Sequence, residues 1–161
     1  MRTAQGKADE LRTEFWKALA DSPFLFLQLD GKPESAVPMS AQLDKDADSA
    51  IWFFTHKNSD FCKLGAATAT FEAKGHDMFA RFNGTLAEET SQERFDQFWS
   101  NFVEAWYEGG KDDPDIAFLR MDLGDAEIWS GDLGLLTTAK MALGKTVLDE
   151  AEEEHARAVP L

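Results

Sequence analysis

The sequence predicts an α+β fold built on an antiparallel sheet, and three observations favour it. About six or seven short segments alternate apolar with polar residues or are rich in β-branched and aromatic residues, as strands are. Short turns, rather than helical crossovers, join successive strands, which is typical of antiparallel pairing. Helical periodicity is confined to the start, the middle and the end of the chain. A sheet of this kind could close into a small barrel with flanking helices.

The first predicted elements are a helix and a hairpin. Apolar residues recur at helical spacing from Lys7 to Ala20, and Asp21-Ser22-Pro23 stops the pattern. The apolar run Phe24–Leu29 is followed by a turn at Asp30-Gly31-Lys32-Pro33 and by extended chain from Ser35 to Leu43. The residues expected to form the buried face of the helix are Leu11, Phe15, Trp16 and Leu19.

The centre of the chain carries three more predicted strands, at Ile51–Thr55, Ala67–Ala73 and Met78–Leu86. The first of these is the clearest, because all five residues are aromatic or β-branched. In the third, Phe79 and Phe82 fall on opposite faces, and Gly84 is a candidate β-bulge.

One continuous helix is predicted from Ser91 to Tyr107, because its bulky apolar residues lie three and four apart. Thr90 is its expected N-cap, with Glu93 as the reciprocal acceptor of a capping box, and a Gly-Gly pair ends the helix. The aromatic stripe is interpreted mainly as core. Trp106 and Tyr107 are minority candidates for residues that line a pocket.

The last third of the chain predicts two strands and a helix. The strands are Ile116–Leu123 and Ala126–Trp129, joined by a short turn. A helix is expected beyond Gly131 as far as Lys145, and the acidic segment Leu148–Arg157 is expected to fray. The whole chain, 1–161, is interpreted as a single domain with its core at about 8–145 and an acidic C-terminal tail at 146–161.

Composition excludes several classes of partner. The 161 residues carry thirty acidic and sixteen basic side chains, a formal charge of −14. This charge repels nucleic acid and anionic lipid, and no apolar run is long enough to span a bilayer. The single cysteine, Cys62, can close no intramolecular disulfide, which favours a cytoplasmic location.

Common catalytic motifs are also missing from the sequence. It contains no Gly-x-Ser-x-Gly pentad, no P-loop and no Gly-x-Gly-x-x-Gly turn. His76 and Asp77 share a predicted turn but have no third ligand at fixed spacing, so no metal site is predicted. Cys62 lies between apolar neighbours and is interpreted as a packing residue.

Several short segments resemble the pyridoxamine 5′-phosphate oxidase-like split barrels that bind flavin mononucleotide (FMN). The strand Ile51–Thr55, with Ser59 four residues on, is preceded by Val37-Pro38-Met39-Ser40-Ala41 as in that family. Three further segments resemble its general stress protein branch: Glu104–Tyr107, Gly109–Pro114 and Ala126–Trp129. The likeness runs in order from about Leu11 to Trp129.

The resemblance implies an antiparallel split β-barrel that forms a homodimer, with FMN sites at the subunit interface. The segment from Val37 through Pro38, Met39 and Ser40 to Gln42 would run beside the flavin ring. Phe54 and Thr55 would flank the flavin, Ser59 would approach its phosphate, and Trp129 would reach the flavin of the other subunit. His56 and Lys63 are further candidate cofactor-binding residues. Apolar strand surface suits a flat ring, and hydroxyls with backbone amides suit phosphate oxygens.

Two positions depart from the family pattern. Val37 stands where the family commonly has arginine, and Phe61 stands where it commonly has lysine. Both changes remove positive charge from the expected phosphate site. The cations that could replace it are Lys57, Lys63, Lys74 and Arg81.

The predicted function is that of a general stress-type flavoprotein, with FMN-dependent oxidoreductase activity on a small molecule as the type if it is an enzyme. His56 is the nearest titratable candidate for proton transfer. True pyridoxamine-phosphate oxidase activity is not expected, because the arginine-bearing C-terminal signature is missing. The alternative is a non-catalytic binding or sensing module that holds another flat ligand, such as a deazaflavin or haem, or none.

Overall fold

The structure is a computed structural model that describes residues 4–45, 49–131 and 135–161. In this part of the chain seven antiparallel strands form one curled sheet flanked by helices. The strands are β1 (Phe24–Leu29), β2 (Lys32–Ser40), β3 (Ala50–His56), β4 (Gly65–Glu72), β5 (Met78–Glu88), β6 (Ile116–Ser130) and β7 (His155–Pro160). The helices are α1 (Ala4–Asp21), α2 (Gln92–Phe98), α3 (Asn101–Glu104), α4 (Leu135–Ala142) and α5 (Leu148–Glu153), with 3₁₀ turns at Asp60–Lys63 and Gly110–Asp112. The predicted α+β class is confirmed, and none of the described helices is both long and apolar enough to cross a membrane.

The sheet curls until its two edge strands meet. The strand order is β2-β1-β4-β5-β6-β3, so β2 and β3 are the edges of this path. Directly after β2, Gln42 pairs with Trp52 of β3, and each backbone N–H donates to the other residue's carbonyl at 2.8 and 3.0 Å. The sheet is therefore a barrel joined at one residue pair and open beside it, as the split-barrel prediction requires.

The core lies between α1 and the inner face of the sheet. Leu11, Phe15 and Leu19 of α1 are fully buried, as the helical spacing predicts. Side chains of β1 alternate between the two faces, so Leu25, Leu27 and Leu29 enter the core. Phe24 and Phe26 point away from it and leave aromatic surface outside.

A β-bulge interrupts the pairing of β5 with β6 beside the predicted glycine. The register of β5 against β6 shifts between Phe82 and Gly84. A Cβ atom on Gly84 would lie 2.5 Å from the backbone oxygen of Asp122, so a side chain here would force the two strands apart. The irregularity falls at Gly84 as predicted, but the extra residue lies on β6, where two residues face Asn83 alone. Phe79 and Phe82 lie on opposite faces as expected.

The prediction of two strands around Gly124 is wrong, because β6 is one continuous strand of fifteen residues. One side of β6 pairs with β5 along nearly its whole length. The other side pairs first with β3 and then, from Asp125 onwards, with β7. The Asn83 side-chain oxygen of β5 accepts the Asp125 N–H of β6 at 3.2 Å. This cross-strand hydrogen bond keeps β6 extended at Gly124-Asp125, where the sequence predicts a turn.

The expected frayed tail is also wrong. The α4 helix ends at Ala142 rather than Lys145, its expected first residues at 132–134 lie outside the described residues, and α5 follows. The segment after α5 is strand β7, and Val159 is buried against the core. The prediction failed because the acidic composition of the tail does not indicate a strand. In the structure, His155 and Arg157 of β7 both contact the carboxylate of Glu127 on β6, at 2.8 and 3.2 Å.

The single helix predicted from Ser91 to Tyr107 is instead two short helices, α2 and α3. Trp99 and Ser100 have extended backbone, and the Ser100 hydroxyl accepts the Val103 N–H at 3.3 Å to begin α3. The expected N-cap is wrong as well: Ser91 caps α2 by accepting the Arg94 N–H at 3.2 Å. A serine hydroxyl can bond to nearby backbone N–H groups in place of the helical carbonyl. At Ser100 this capping bond interrupts the helix that the apolar spacing predicts.

Candidate functional site

A cleft opens where the two edge strands separate. Continuing the register of the Gln42–Trp52 pair would place Ser40 opposite Phe54 and Pro38 opposite His56, but no hydrogen bonds join these pairs. The gap is a cavity of about 450 Å³, within the range of small-molecule sites. Its lining residues are Pro23, Phe24, Pro38, Met39, Ser40, Ala41, Gln42, Phe54, Thr55, His56, Ser100, Phe102, Val103, Trp106 and Tyr107.

Both walls of the cleft are strand edges, which gives the site backbone hydrogen-bonding capacity. An edge strand pairs on one side only, so alternate N–H and C=O groups of β2 and β3 face away from their neighbouring strands. The cleft therefore combines polar backbone with apolar side chains. A planar heteroaromatic ring needs both, since its faces are apolar and its rim carries donors and acceptors.

An aromatic cluster supports the β3 wall. Phe54 stacks on Phe118 of β6 with ring centroids 4.5 Å apart. The rings of Phe95 and Trp99 meet it edge-on at 5.5 and 5.8 Å. This cluster, a second small core outside the barrel, fixes the Phe54 ring from behind. Preorganised aromatic surface of this kind loses little entropy when a ligand binds.

The segment from Ser100 to Tyr107 covers the cleft. Val103 and Tyr107 are buried, whereas Phe102 and Trp106 are 87% and 75% exposed although they line the cavity. The Tyr107 hydroxyl donates to the Thr55 backbone oxygen at 2.7 Å and so ties this segment to β3. Burial, with the nearby carboxylates of Asp115 and Asp113, raises the pKa of Tyr107 to about 12, so the hydroxyl keeps its proton at neutral pH.

The polar end of the cleft is organised by the loop before β6. His56 Nδ1 is hydrogen-bonded to an Asp115 carboxylate oxygen, and the His56 ring packs against Tyr107 with centroids 4.9 Å apart. The backbone N–H of Lys57 bonds both the backbone oxygen of Asp115, at 2.9 Å, and its carboxylate, at 3.2 Å. Asp113 caps the same loop, and the N–H groups of Asp115 and Gly109 hold the pKa of its carboxyl below the usual value.

The structure brings six of the ten predicted site residues together in the cleft: Pro38, Met39, Ser40, Phe54, Thr55 and His56. Val37 and Ser59 do not line it, although each neighbours a lining segment; the Ser59 hydroxyl accepts the Phe61 N–H at 3.2 Å. Lys63 is paired with Asp60. Trp129 lies on the outer face of the sheet, stacked on His155 with centroids 5.2 Å apart.

Sequence reasoning missed the cover of the cleft and its polar loop. The sequence predicts Trp106 and Tyr107 as minority candidates for pocket residues, but the predicted continuous helix places Phe102 in the core, whereas Phe102 is exposed. A serine in the middle of an apolar helical run is a possible N-cap, and Ser100 is the signal that could have revealed the break. No sequence pattern predicts the contact of Asp115 with His56, because that contact forms only when β3 pairs with β6.

Comparisons with known proteins agree with this architecture. The family model for pyridoxamine 5′-phosphate oxidase-like proteins matches residues 10–152. The chain therefore belongs to the pyridoxamine 5′-phosphate oxidase-like family, which confirms the resemblance seen in its motifs. No curated protein matches the chain.

Three solved structures are similar over most of their length. A general stress FMN/FAD binding protein from Xanthomonas citri is 41% identical, with 79% of this chain and 93% of that one covered and a TM-score of 0.72. A general stress family protein from Xanthomonas campestris pv. campestris is 40% identical, with 84% and 94% covered and a TM-score of 0.72. A general stress protein 26 from Jannaschia sp. CCS1 is 34% identical, with 86% and 92% covered and a TM-score of 0.73.

Proposed function

We propose that this chain is an FMN-binding protein of the general stress type and that its cleft holds the flavin. The observation that carries the proposal is the opening between β2 and β3, which presents free strand edges and an aromatic wall to one cavity of about 450 Å³. The Xanthomonas citri relative, described as an FMN/FAD binding protein, supports a flavin as the ligand.

The residues present fit a flat ring with a polar rim. The ring would lie between Met39 on β2 and the supported Phe54 side chain on β3, while backbone groups near Pro38 and Ser40 serve its rim. The ribityl phosphate would extend toward Thr55, His56 and the turn at Ser59. Bound flavin supplies hydride and electron transfer, and this chain's own residues orient the ring and exclude water from one side. We propose a small-molecule oxidoreductase on this basis, with His56 near the ring. The single cysteine, which can close no intramolecular disulfide, supports a cytoplasmic location.

Purified protein is expected to be yellow and to release one FMN per chain on acid treatment. Ser40→Trp places a large ring in the cleft from an exposed position of β2, and the overcrowding is expected to weaken FMN binding by roughly tenfold or more. Glu34→Trp is the matched control, since Glu34 is exposed on the same strand but lines no part of the cleft.

Flavin fluorescence quenching measures both affinities. A colourless wild type that does not quench added FMN would refute flavin binding, and absorbance after incubation with haem or a deazaflavin would then test the alternative ligands. Equal FMN affinity of Ser40→Trp and wild type would place the flavin elsewhere.

We also propose a homodimer that buries the outer face of β1 and β5. Phe24, Phe26 and Phe79 are 61%, 52% and 42% exposed, and they line a hollow of about 370 Å³ on this face. Phe24 and Pro38 line both this hollow and the cleft, so the two surfaces are continuous. Trp129 is the cross-strand neighbour of Phe79. A second copy on this face would bring its Trp129 toward the cleft.

Light scattering is expected to give twice the mass of one 18.0 kDa chain. Phe26→Asp puts a charge in the centre of the exposed aromatic face and is expected to yield monomers, whereas Thr13→Asp, on exposed α1 surface, leaves the dimer intact. Trp129→Ala is expected to weaken FMN binding without changing the mass. A monomeric wild type would contradict the dimer, and a Trp129→Ala variant with unchanged FMN affinity would contradict the cross-subunit contact.

A further inference from the structure

The anionic end of the proposed ligand binds most strongly beside a cation, and the two positions where the family commonly has one carry none here. Val37 is apolar, and Phe61 is apolar and only 2% exposed, packed into the main core. On a chain with a formal charge of −14, a local positive charge strengthens the binding of a phosphate monoester because it offsets the overall repulsion.

Two of the lysines that could meet the phosphate form ion pairs with a carboxylate. Lys32 and Lys63 both contact Asp60, each at 3.3 Å, and their hydrogen bonds lower the pKa of that carboxyl. None of these three residues lines the cleft. The Lys63 ammonium is already paired with a carboxylate, so a phosphate would have to compete with Asp60 for it.

Two further cations lie away from the cleft. Arg81 pairs with Glu127 at 2.6 Å and covers the Trp129 ring on the outer face, with its guanidinium carbon 5.8 Å from the ring centroid. Lys74 belongs to the turn between β4 and β5, none of whose residues lines the cavity. Neither side chain is placed to meet a ligand that lies along β2 and β3 of its own chain.

Lys57 is different in both position and pairing. Lys57 does not itself line the cleft, but it directly follows His56, which does. Its side chain is exposed and has no ion pair among the described residues. Two hydrogen bonds from its N–H to Asp115 fix its backbone there. The two carboxylates of this end are already engaged, Asp115 by His56 and Lys57, and Asp113 by the N–H groups of Gly109 and Asp115.

We propose that Lys57 supplies the positive charge that binds the terminal phosphate of the flavin nucleotide. This assignment rests on the proposed function and names the residue that replaces the cations missing at Val37 and Phe61. A flexible ammonium donates to phosphate oxygens as a point charge and needs no fixed fork geometry, so lysine suits an exposed site at the mouth of a cleft.

The test compares two ligands that differ only in the phosphate, FMN and riboflavin, by titration of flavin fluorescence. Lys57→Ala is expected to lose about 10- to 100-fold in FMN affinity and less than about twofold in riboflavin affinity, because only the charge-assisted hydrogen bond is removed. Lys57→Arg is expected to retain FMN affinity within a few-fold. Lys74→Ala is the matched control and is expected to bind FMN as the wild type does, and Lys63→Ala tests the rival cation. Thermal unfolding of each variant confirms that it is folded.

Three results would overturn the assignment. A Lys57→Ala variant with wild-type FMN affinity, or one that loses FMN and riboflavin equally, removes Lys57 from the phosphate site while FMN binding itself stands. A Lys63→Ala loss larger than that of Lys57→Ala moves the charge to Lys63. A wild type that binds neither flavin overturns the proposed function, and the role of Lys57 with it.

Discussion

Replacing Phe15 with alanine is expected to lower the free energy of unfolding by about 3–5 kcal/mol. Phe15 is fully buried on α1, and its ring meets those of Phe71 and Phe82 edge-on, with centroids 6.0 and 5.4 Å apart. Removing the ring deletes its transfer free energy and leaves a cavity where the helix covers the sheet. The edge-to-face contacts add to the loss beyond buried area alone.

Urea denaturation at one protein concentration measures this change, since coupled dimerisation would make the apparent stability depend on concentration. Phe102→Ala is the control, because the same truncation at a side chain that is 87% exposed is expected to change stability by no more than about 0.5 kcal/mol. Equal effects of the two substitutions would show that α1 does not cover the core as described.

Glu89→Ala is expected to cost about 2–3 kcal/mol of stability, because one carboxylate at the end of β5 joins three elements. It accepts the Trp52 indole N–H of β3 at 2.9 Å and the Thr90 N–H before α2 at 3.1 Å, and it contacts Arg120 of β6 at 3.3 Å. Alanine would leave the indole N–H without this acceptor. Glu89→Gln keeps a neutral acceptor and is expected to lose less.

The Glu89 contribution is also expected to depend on pH. Burial pushes the pKa of Glu89 up, but the hydrogen bonds from Trp52 and the Ser91 backbone and the charge of Arg120 outweigh it and leave the pKa below its ordinary value of 4.5. The folded state therefore favours the carboxylate. Its contribution is fully present above the unfolded pKa and is lost as the pH falls through the folded one.

Wild type and Glu89→Gln should accordingly differ in stability at pH 7, and the difference should be smaller at pH 3. Their difference isolates Glu89 from the other carboxylates with lowered pKa, among them Asp44 and Asp96. A difference that stays constant between the two pH values would mean that the charge of Glu89 does not stabilise the fold.

The helices and strands whose apolar residues follow a regular local spacing could be predicted from the sequence. The 3.6-residue spacing of Leu11, Phe15 and Leu19 and the alternation of β1 each report directly on which face is buried. The β2 and β3 walls of the cleft could also be predicted, because they carry the motifs shared with the family. In both cases the information lies within a few consecutive residues.

The wrong predictions concern features that are decided by competition between local and distant interactions. Apolar spacing continues across Ser100, so periodicity alone cannot show that its hydroxyl caps a new helix. The composition of the tail predicts an acidic, unstructured segment. Its strand is stabilised only by distant contacts, namely the burial of Val159 and the pairing of His155 and Arg157 with Glu127. The approach of Asp115 to His56 likewise arises only when the sheet has formed.

The long β6 strand has a consequence for synthesis of the protein. Phe53 of β3 pairs with Leu119 of β6, so one of the most apolar strands in the chain is made well before its neighbour exists. At about 5–20 residues per second, that interval lasts several seconds. Until β6 emerges from the ribosome, an apolar strand with unpaired backbone is open to association with other nascent chains. Expression yield is therefore expected to respond to chaperones that shield apolar strands during translation.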